Sequence, residues 1–223
     1  MAMADEAQPV IEALKLSKED KPDSSLPIES YASADKKIRV VINGKDPHYQ
    51  VDCIGTQAAA IAAVLAIRTY DPDLIISAGT AGGFRAKGAS IGDVYLSRRI
   101  AFHDRRIALP GFDKYGQCII ETPLGIELAE KLKFKTGNIS SGNSLDMPEQ
   151  DKQTITAMNG EIKEMEAASI AWVARLYHKK MIAVKSITDL MDAGKPTEEE
   201  FLENLKMASE KLKEGLLKVL KIL

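Results

Sequence analysis

Two acidic segments of this chain have residue types and spacing that could do chemistry. Glu164-Met165-Glu166 places two carboxylates two residues apart. On a helix such residues diverge by roughly 200°, so they cannot both face solvent beside the apolar stripe that follows. Either one of them turns towards protein or ligand, or the segment is a junction between a strand and a helix. A buried glutamate needs a partner, and the adjacent hydroxyls of a ribose would suit its two acceptor oxygens. An exposed glutamate at a helix start, favoured by the macrodipole, is the other reading. Thr188-Asp189 lies in "SITDLMDAG" at 186–194, after an apolar run and ahead of Gly194. An acid kept there, shielded from water, can have a pKa high enough to hold a proton for transfer.

Thr188-Asp189 falls where a ligand would. In α/β sheets ligands bind outside the carboxyl ends of the strands. Three strand exits carry small polar groups: Gly79-Thr80-Ala81-Gly82-Gly83, Ser141-Gly142-Asn143-Ser144-Leu145 and Ser186-Ile187-Thr188-Asp189. The glycine-rich turn is neither GxGxxG nor followed by GK[ST], so it is no dinucleotide or P-loop fingerprint. Taken alone, it is equally a tight strand-to-helix turn. His103 in "FHDRR" has no Ser or Cys in a nucleophile context, which favours a structural or interface role. His48, His103 and His178 lack metal-ligand spacing, so no metal and no cofactor is expected.

The elements that must position these groups alternate along the chain. Ala7, Val10, Ile11 and Leu14 have helical spacing within residues 4–16, and 17–27 is a polar loop. Residues 37–44 form a strand, and 55–70 an alanine-rich helix expected to be buried on a sheet. Strands follow at 71–79, 92–104 and 181–189, and 138–144 is a strand end with its loop. Residues 164–177 place Met165, Ser169, Trp172, Val173 and Leu176 on one helical stripe. Residues 197–223 form a long amphipathic helix with Phe201, Leu205, Ala208, Leu212 and Leu216 inside. Thr197 and Glu200 fit a capping box at its start. The pattern predicts one three-layer α/β/α domain over residues 1–223, with a mixed, largely parallel central sheet.

Composition narrows the function classes. The 223 residues have a net charge of −2 and only 5% aromatics, which points away from nucleic-acid and anionic-membrane partners. No apolar stretch of about 18 residues exists and the N-terminus lacks signal-peptide order. Cys53 and Cys118, with no CxxC, read as reduced thiols of a cytoplasmic protein.

Taken together, the segments resemble the 5′-methylthioadenosine (/S-adenosylhomocysteine) nucleosidases of the nucleoside phosphorylase superfamily, in particular their plant-type branch. The stretches that carry it are "AMADEA" at 2–7, "DPDLIISAGTAGGF" at 71–84, "GASIGDVYLS" at 88–97 and "FHDRR" at 102–106. They continue with "SSGNSLDM" at 140–147, "EMEAASIA" at 164–171 and "SITDLMDAGKPTEEEFLENL" at 186–205.

The resemblance implies hydrolysis of an adenine nucleoside in methionine salvage. Glu6 would activate water, and Asp189 would give a proton to the adenine N7. Glu166 would hold the ribose hydroxyls, with Met165 packed on the sugar and Thr80 near ribose and water. Leu145 would cover the adenine, Phe201 would close over the alkylthio end, and Thr188 would place Asp189. Lys185, which stands where other branches carry Arg, is placed among the substrate-binding residues. A homodimer is implied, with the partner contributing to the alkylthio pocket.

Two other readings stay open: a nucleoside phosphorylase, and a catalytically weak storage or binding relative. Family members usually begin with an apolar strand ahead of the Glu6 turn. The first strand is therefore apparently missing here, and the chain as given is expected to be poorly stable and weakly active.

Overall fold

The computed structural model describes residues 1–20, 23 and 25–223. Helix α1 (Ala4–Ala13) leads into a small antiparallel sheet of β1 (Ser17–Lys18), β2 (Glu29–Ala32) and β3 (Arg39–Ile42). Next come α2 (Thr56–Tyr70), β4 (Leu74–Gly83), β5 (Val94–Phe102), α3 (Asp113–Gln117) and β6 (Ile120–Glu121). Then follow α4 (Pro123–Leu132), β7 (Lys135–Ser141), α5 (Glu149–Ala157), β8 (Ile162–Glu164), α6 (Ala167–Leu176), β9 (Lys180–Leu190) and α7 (Thr197–Leu220).

The central sheet has the order β6-β5-β7-β8-β4-β9, and β5 also pairs with β9, so the sheet closes on itself. The β4–β9, β5–β7 and β7–β8 pairs are parallel; β4–β8, β5–β6 and β5–β9 are antiparallel. A mixed sheet between helices is what the alternating pattern implied.

Period-two alternation sorts the core. In β9, Met181, Ala183 and Ile187 join the apolar cluster under α6, while Ile182 and Val184 join the one under α1, α4 and α7. Of the expected inner stripe of α7, Ala208, Leu212 and Leu216 are buried, while Phe201 and Leu205 are half-buried. At its head the residue before the helix is Pro196, and Thr197 makes no side-chain cap, so the capping box is not formed.

Other local expectations shift. Residues 17–27 contain the two-residue β1, and Lys21, Pro22 and Ser24 of that stretch lie outside the described residues. The alanine-rich α2 packs mainly on α6 and meets the sheet at Ile75 of β4, and its Ile61 stays half exposed. Its alanines allow the two helices to approach closely. Residues 164–177 are not one helix: α6 starts at Ala167, its buried face is mostly alanine, and Leu176 is exposed.

The turn ahead of α1 is hydrogen-bonded to β3. The Met1 ammonium donates to the Val41 carbonyl at 2.8 Å, and the Asn43 amide donates to Met1 O at 3.2 Å.

Helix α4 is seated against β5 through a glycine. Pro123 opens it, a position where the missing N–H costs nothing, and Thr122 Oγ1 donates to Ser97 O at 2.8 Å. A Cβ on Gly125 would collide with that same Ser97 carbonyl, which belongs to the backbone and cannot swing away. Gly125→Ala is expected to destabilise the fold by about 1–3 kcal/mol, the usual cost of overpacking. Urea denaturation checks this; an unchanged midpoint would show that α4 can retreat without loss.

Candidate active site

The exits of β4, β8 and β9 and the first turn of α1 converge on a cleft of about 470 Å³. Glu6, Thr80, Leu145, Met165, Glu166, Thr188, Asp189 and Phe201 all line it. These residues come from distant parts of the sequence: strand ends, the loop after β7, and the first turns of α1 and α7.

Glu6 is placed by α1. It sits in the first helical turn, where a negative charge is favoured by the helix dipole. Its Oε1 accepts the Thr80 N–H at 2.6 Å and the Thr80 hydroxyl at 2.7 Å, and its Oε2 accepts the Met3 N–H at 3.4 Å. Oε2 is the less engaged oxygen. A Cβ at residue 79 would lie 3.3 Å from both carboxylate oxygens, so glycine there lets β4 approach Glu6 closely.

Glu164 and Glu166 sit at a strand-to-helix junction, one of the arrangements their spacing allowed. Glu164 ends β8 and pairs with Lys185 of β9 at 2.8 Å, both fully buried. Ser141 Oγ donates to Glu164, and the Glu166 and Ala167 N–H groups donate to it at 3.0–3.1 Å. Burial would push the Glu164 pKa up, but Lys185 and these donors hold it below the ordinary carboxylate range. Burial likewise works against the Lys185 charge, and Glu164 and Glu166 outweigh it, so its pKa is raised.

Glu166 has no such cation to itself. Its Oε1 accepts the Gly55 N–H at 2.9 Å. Burial, then the neighbouring Glu164 charge, push its pKa up to about 7, with Lys185 opposing.

Asp189 owes its direction to a bulge. Ala81 pairs with Ile187 and Gly82 with Asp189, so β9 carries Thr188 as an extra residue. A bulge breaks strict alternation, and here it allows both Thr188 and Asp189 to line the cleft. The Thr188 hydroxyl lies 2.7 Å from Asp189 Oδ1. A Cβ on Gly82 would come within 2.7 Å of Asp189 Oδ2 and 2.6 Å of Met191 Sδ, so any side chain there would displace one or both. Burial raises the Asp189 pKa, against the Thr188 hydrogen bond.

Lys185 is the sequence-based candidate that does not reach the cleft. It is 2% exposed and lies behind the carboxylates, next to Ser77, Gly79 and Glu166, as their counter-ion. His103 is also absent from the cleft wall; it is buried with Nδ1 2.8 Å from Ser140 Oγ, a structural position.

Several wall residues carry little or no mark in the sequence. Lys163, one step before Glu164, is buried and donates to the carbonyls of Ser144 at 2.5 Å and Leu145 at 3.0 Å. Its signal was strand alternation, which sets it on the opposite face from the core residue Ile162. Gln50, Val51, Asp52 and Ile54 come from a loop closed by the Lys45–Asp52 bridge. That loop has no apolar period, and nothing in its residues marked it as part of a site.

A closed mixed sheet with a carboxylate-lined cleft at its strand ends defines an enzyme fold built to take a small polar molecule and move protons on it. The chain belongs to the phosphorylase superfamily, whose sequence profile matches residues 1–221. It is 42% identical to the 5′-methylthioadenosine/S-adenosylhomocysteine nucleosidase of Arabidopsis thaliana over 99% of this chain and 88% of that protein. It is 41% identical to the 5′-methylthioadenosine nucleosidase of the same plant, over 99% of this chain and 84% of that one. The apo structure of Arabidopsis thaliana 5′-methylthioadenosine nucleosidase superposes with a TM-score of 0.96 at 40% identity, covering 99% of this chain and 92% of that one.

The Glu166 environment has a measurable consequence. A carboxyl whose folded pKa is raised from 4.5 to about 7 contributes stability that is complete below about pH 4.5 and lost as pH rises through about 7. Wild type is therefore expected to lose up to about 3 kcal/mol relative to Glu166→Gln between those limits, an upper bound for a shift of that size. Chemical denaturation of both proteins across pH 4.5–8 tests it, and a flat difference would show that Glu166 keeps one charge state throughout.

Proposed function

We propose that this chain is a nucleosidase that hydrolyses the N-glycosidic bond of 5′-methylthioadenosine to adenine and 5-methylthioribose, as in methionine salvage. S-adenosylhomocysteine is a second candidate substrate. The observation that carries the reading is one cleft holding Glu6, Glu166 and Asp189 in three different environments. The 42% identity to a nucleosidase over nearly the whole chain supports the same chemistry.

Cleaving this bond passes through an oxocarbenium-like state, and adenine leaves well only when N7 is protonated. As in glycoside hydrolysis, one carboxyl serves the leaving group and another the water. Asp189, with its raised pKa, is the proton donor to N7. Glu6 receives only donors from Thr80 and Met3, which suits a carboxylate acting as base, and its Oε2 takes the water proton. Glu166 accepts the 2′ and 3′ hydroxyls, and Met165 and Thr80 border the sugar. Leu145 and Phe201 supply the apolar walls for base and alkylthio group.

Hydrolysis is favoured over phosphorolysis by charge. No arginine lines the cleft among the described residues, and Arg85 is exposed beyond it. The Glu6 carboxylate, held by neutral donors with no cation paired to it, would repel a phosphate dianion. The presence of Glu6, Glu166 and Asp189 also counts against a storage or binding relative that has lost catalysis.

Residues 1–223 form one domain in this reading, because the two main apolar clusters flank a single sheet. The working form is a homodimer. Leu109, Phe112 and Tyr115 are 57%, 43% and 48% exposed on one segment, a set of large apolar groups that a partner would cover. Unpaired Cys53 and Cys118 agree with a cytoplasmic location, and among the described residues no helix is long and apolar enough to cross a membrane.

Adenine release from methylthioadenosine is expected to be independent of phosphate; formation of a ribose 1-phosphate would overturn hydrolysis. Asp189→Asn is expected to lower kcat by about 10²–10⁴ with little change in substrate binding, since the amide can hydrogen-bond N7 but not protonate it. A kcat within about tenfold of wild type would remove Asp189 from the acid role. Leu109→Asp is expected to shift sedimentation towards the monomer, and an unchanged oligomeric state would move the interface elsewhere.

A further inference from the structure

Asp189 is flanked in the chain by two residues whose backbones are tied to α7. Glu200 is buried, and instead of closing a capping box its Oε2 accepts the Leu190 N–H at 2.6 Å. Asn204 Nδ2 donates to Thr188 O at 3.0 Å and to Glu200 O at 2.9 Å. Glu200 thus fixes the backbone on one side of Asp189 and brings a second buried carboxylate to the N–H of the residue next to it in the chain. Across the cleft, β8 presents the buried Lys163. The facing segment of β4 carries only Ala81 and Gly82 and brings no charge. Glu6 and Glu166 line the same cleft.

The hydroxyl between these elements is informative. Thr188 Oγ1 lies 2.7 Å from Asp189 Oδ1 and 3.2 Å from Ala81 O. It has one proton and faces two acceptors. That proton is divided between the Asp189 carboxyl and the Ala81 carbonyl, so the hydroxyl's hold on the ionised form of Asp189 is incomplete.

We propose that Glu200 is a positioning residue for Asp189: from α7 it locks the β9 exit and sets a like charge beside the aspartate that favours its protonated form, with Lys163 as the opposing charge. The proposal rests on reading Asp189 as the acid. Burial, and after it Glu200, push the Asp189 pKa up, while the Thr188 bond and Lys163 push it down. A carboxylate outside the cleft lining thereby adds to burial in setting the pH at which the proton donor is loaded.

The test is the pH dependence of kcat/KM for adenine release by wild type, Glu200→Gln, Lys163→Met and Asp189→Asn. Gln at 200 can still accept the Leu190 N–H, so it keeps the backbone contact and removes the charge. The alkaline limb is expected to move down by about one pH unit in Glu200→Gln and up in Lys163→Met, with the acid limb unmoved. Loss of a purely structural contact would lower activity at every pH and leave the limb in place. A limb that does not move down in Glu200→Gln overturns the proposal. If that variant does not fold, Lys163→Met decides, and a limb that stays or moves down overturns it. If Asp189→Asn keeps wild-type activity, the acid reading itself fails and takes the proposal with it, a result distinct from an unmoved limb in Glu200→Gln.

Discussion

The ion pair between Lys185 and Glu164 is the constraint around which the cleft is arranged. Both groups are removed from water, and leaving either one alone there would cost about 3–5 kcal/mol. The pair therefore obliges β8 and β9 to keep their separation on either side of β4. It also recruits Ser141 at the end of β7 and the first N–H groups of α6. Four elements are fixed at one end of the sheet by a single charge balance.

That balance reaches the carboxylates that face the cleft. Lys185 is committed to Glu164, so Glu166 meets a like charge with only part of a cation to offset it. Glu6 is held instead by neutral donors from Thr80. Asp189 lies beyond the pair, held by a threonine hydroxyl and bracketed by charges of opposite sign. Three acids in one cleft acquire three characters from their surroundings, the arrangement by which a site separates acid from base. Close approach makes this possible: Gly79 and Gly82 leave no Cβ between β4 and the carboxylates of Glu6 and Asp189.

The apolar side of the cleft is built differently. Val51, Ile54 and Leu145 are well exposed at its mouth, and Lys163 secures the Leu145 loop through two carbonyls. Charge thus orders the closed end, and shape defines the open end.

The sequence by itself determined the alternation of strands and helices, most of the inner stripe of α7, and the placing of Thr80 and Asp189 towards the ends of their strands, while Glu166 stayed open between a helix start and a strand-to-helix junction. These are local matters: periodicity, small polar residues after apolar runs, and acids where burial is costly each leave a mark within about ten residues. What only the tertiary structure decided depends on partners distant in the chain. Lys185 reads like any cation on a strand until Glu164 is seen 2.8 Å away. Glu200 fits a capping box in sequence, yet it turns to Leu190 because the β9 exit leaves an N–H there to be satisfied. The bulge at Thr188 exists only in the register between β4 and β9, and without it strict alternation would point Thr188 and Asp189 to opposite faces. The acids were legible because their cost is local, and their protonation was not, because it is set by charges that folding brings beside them.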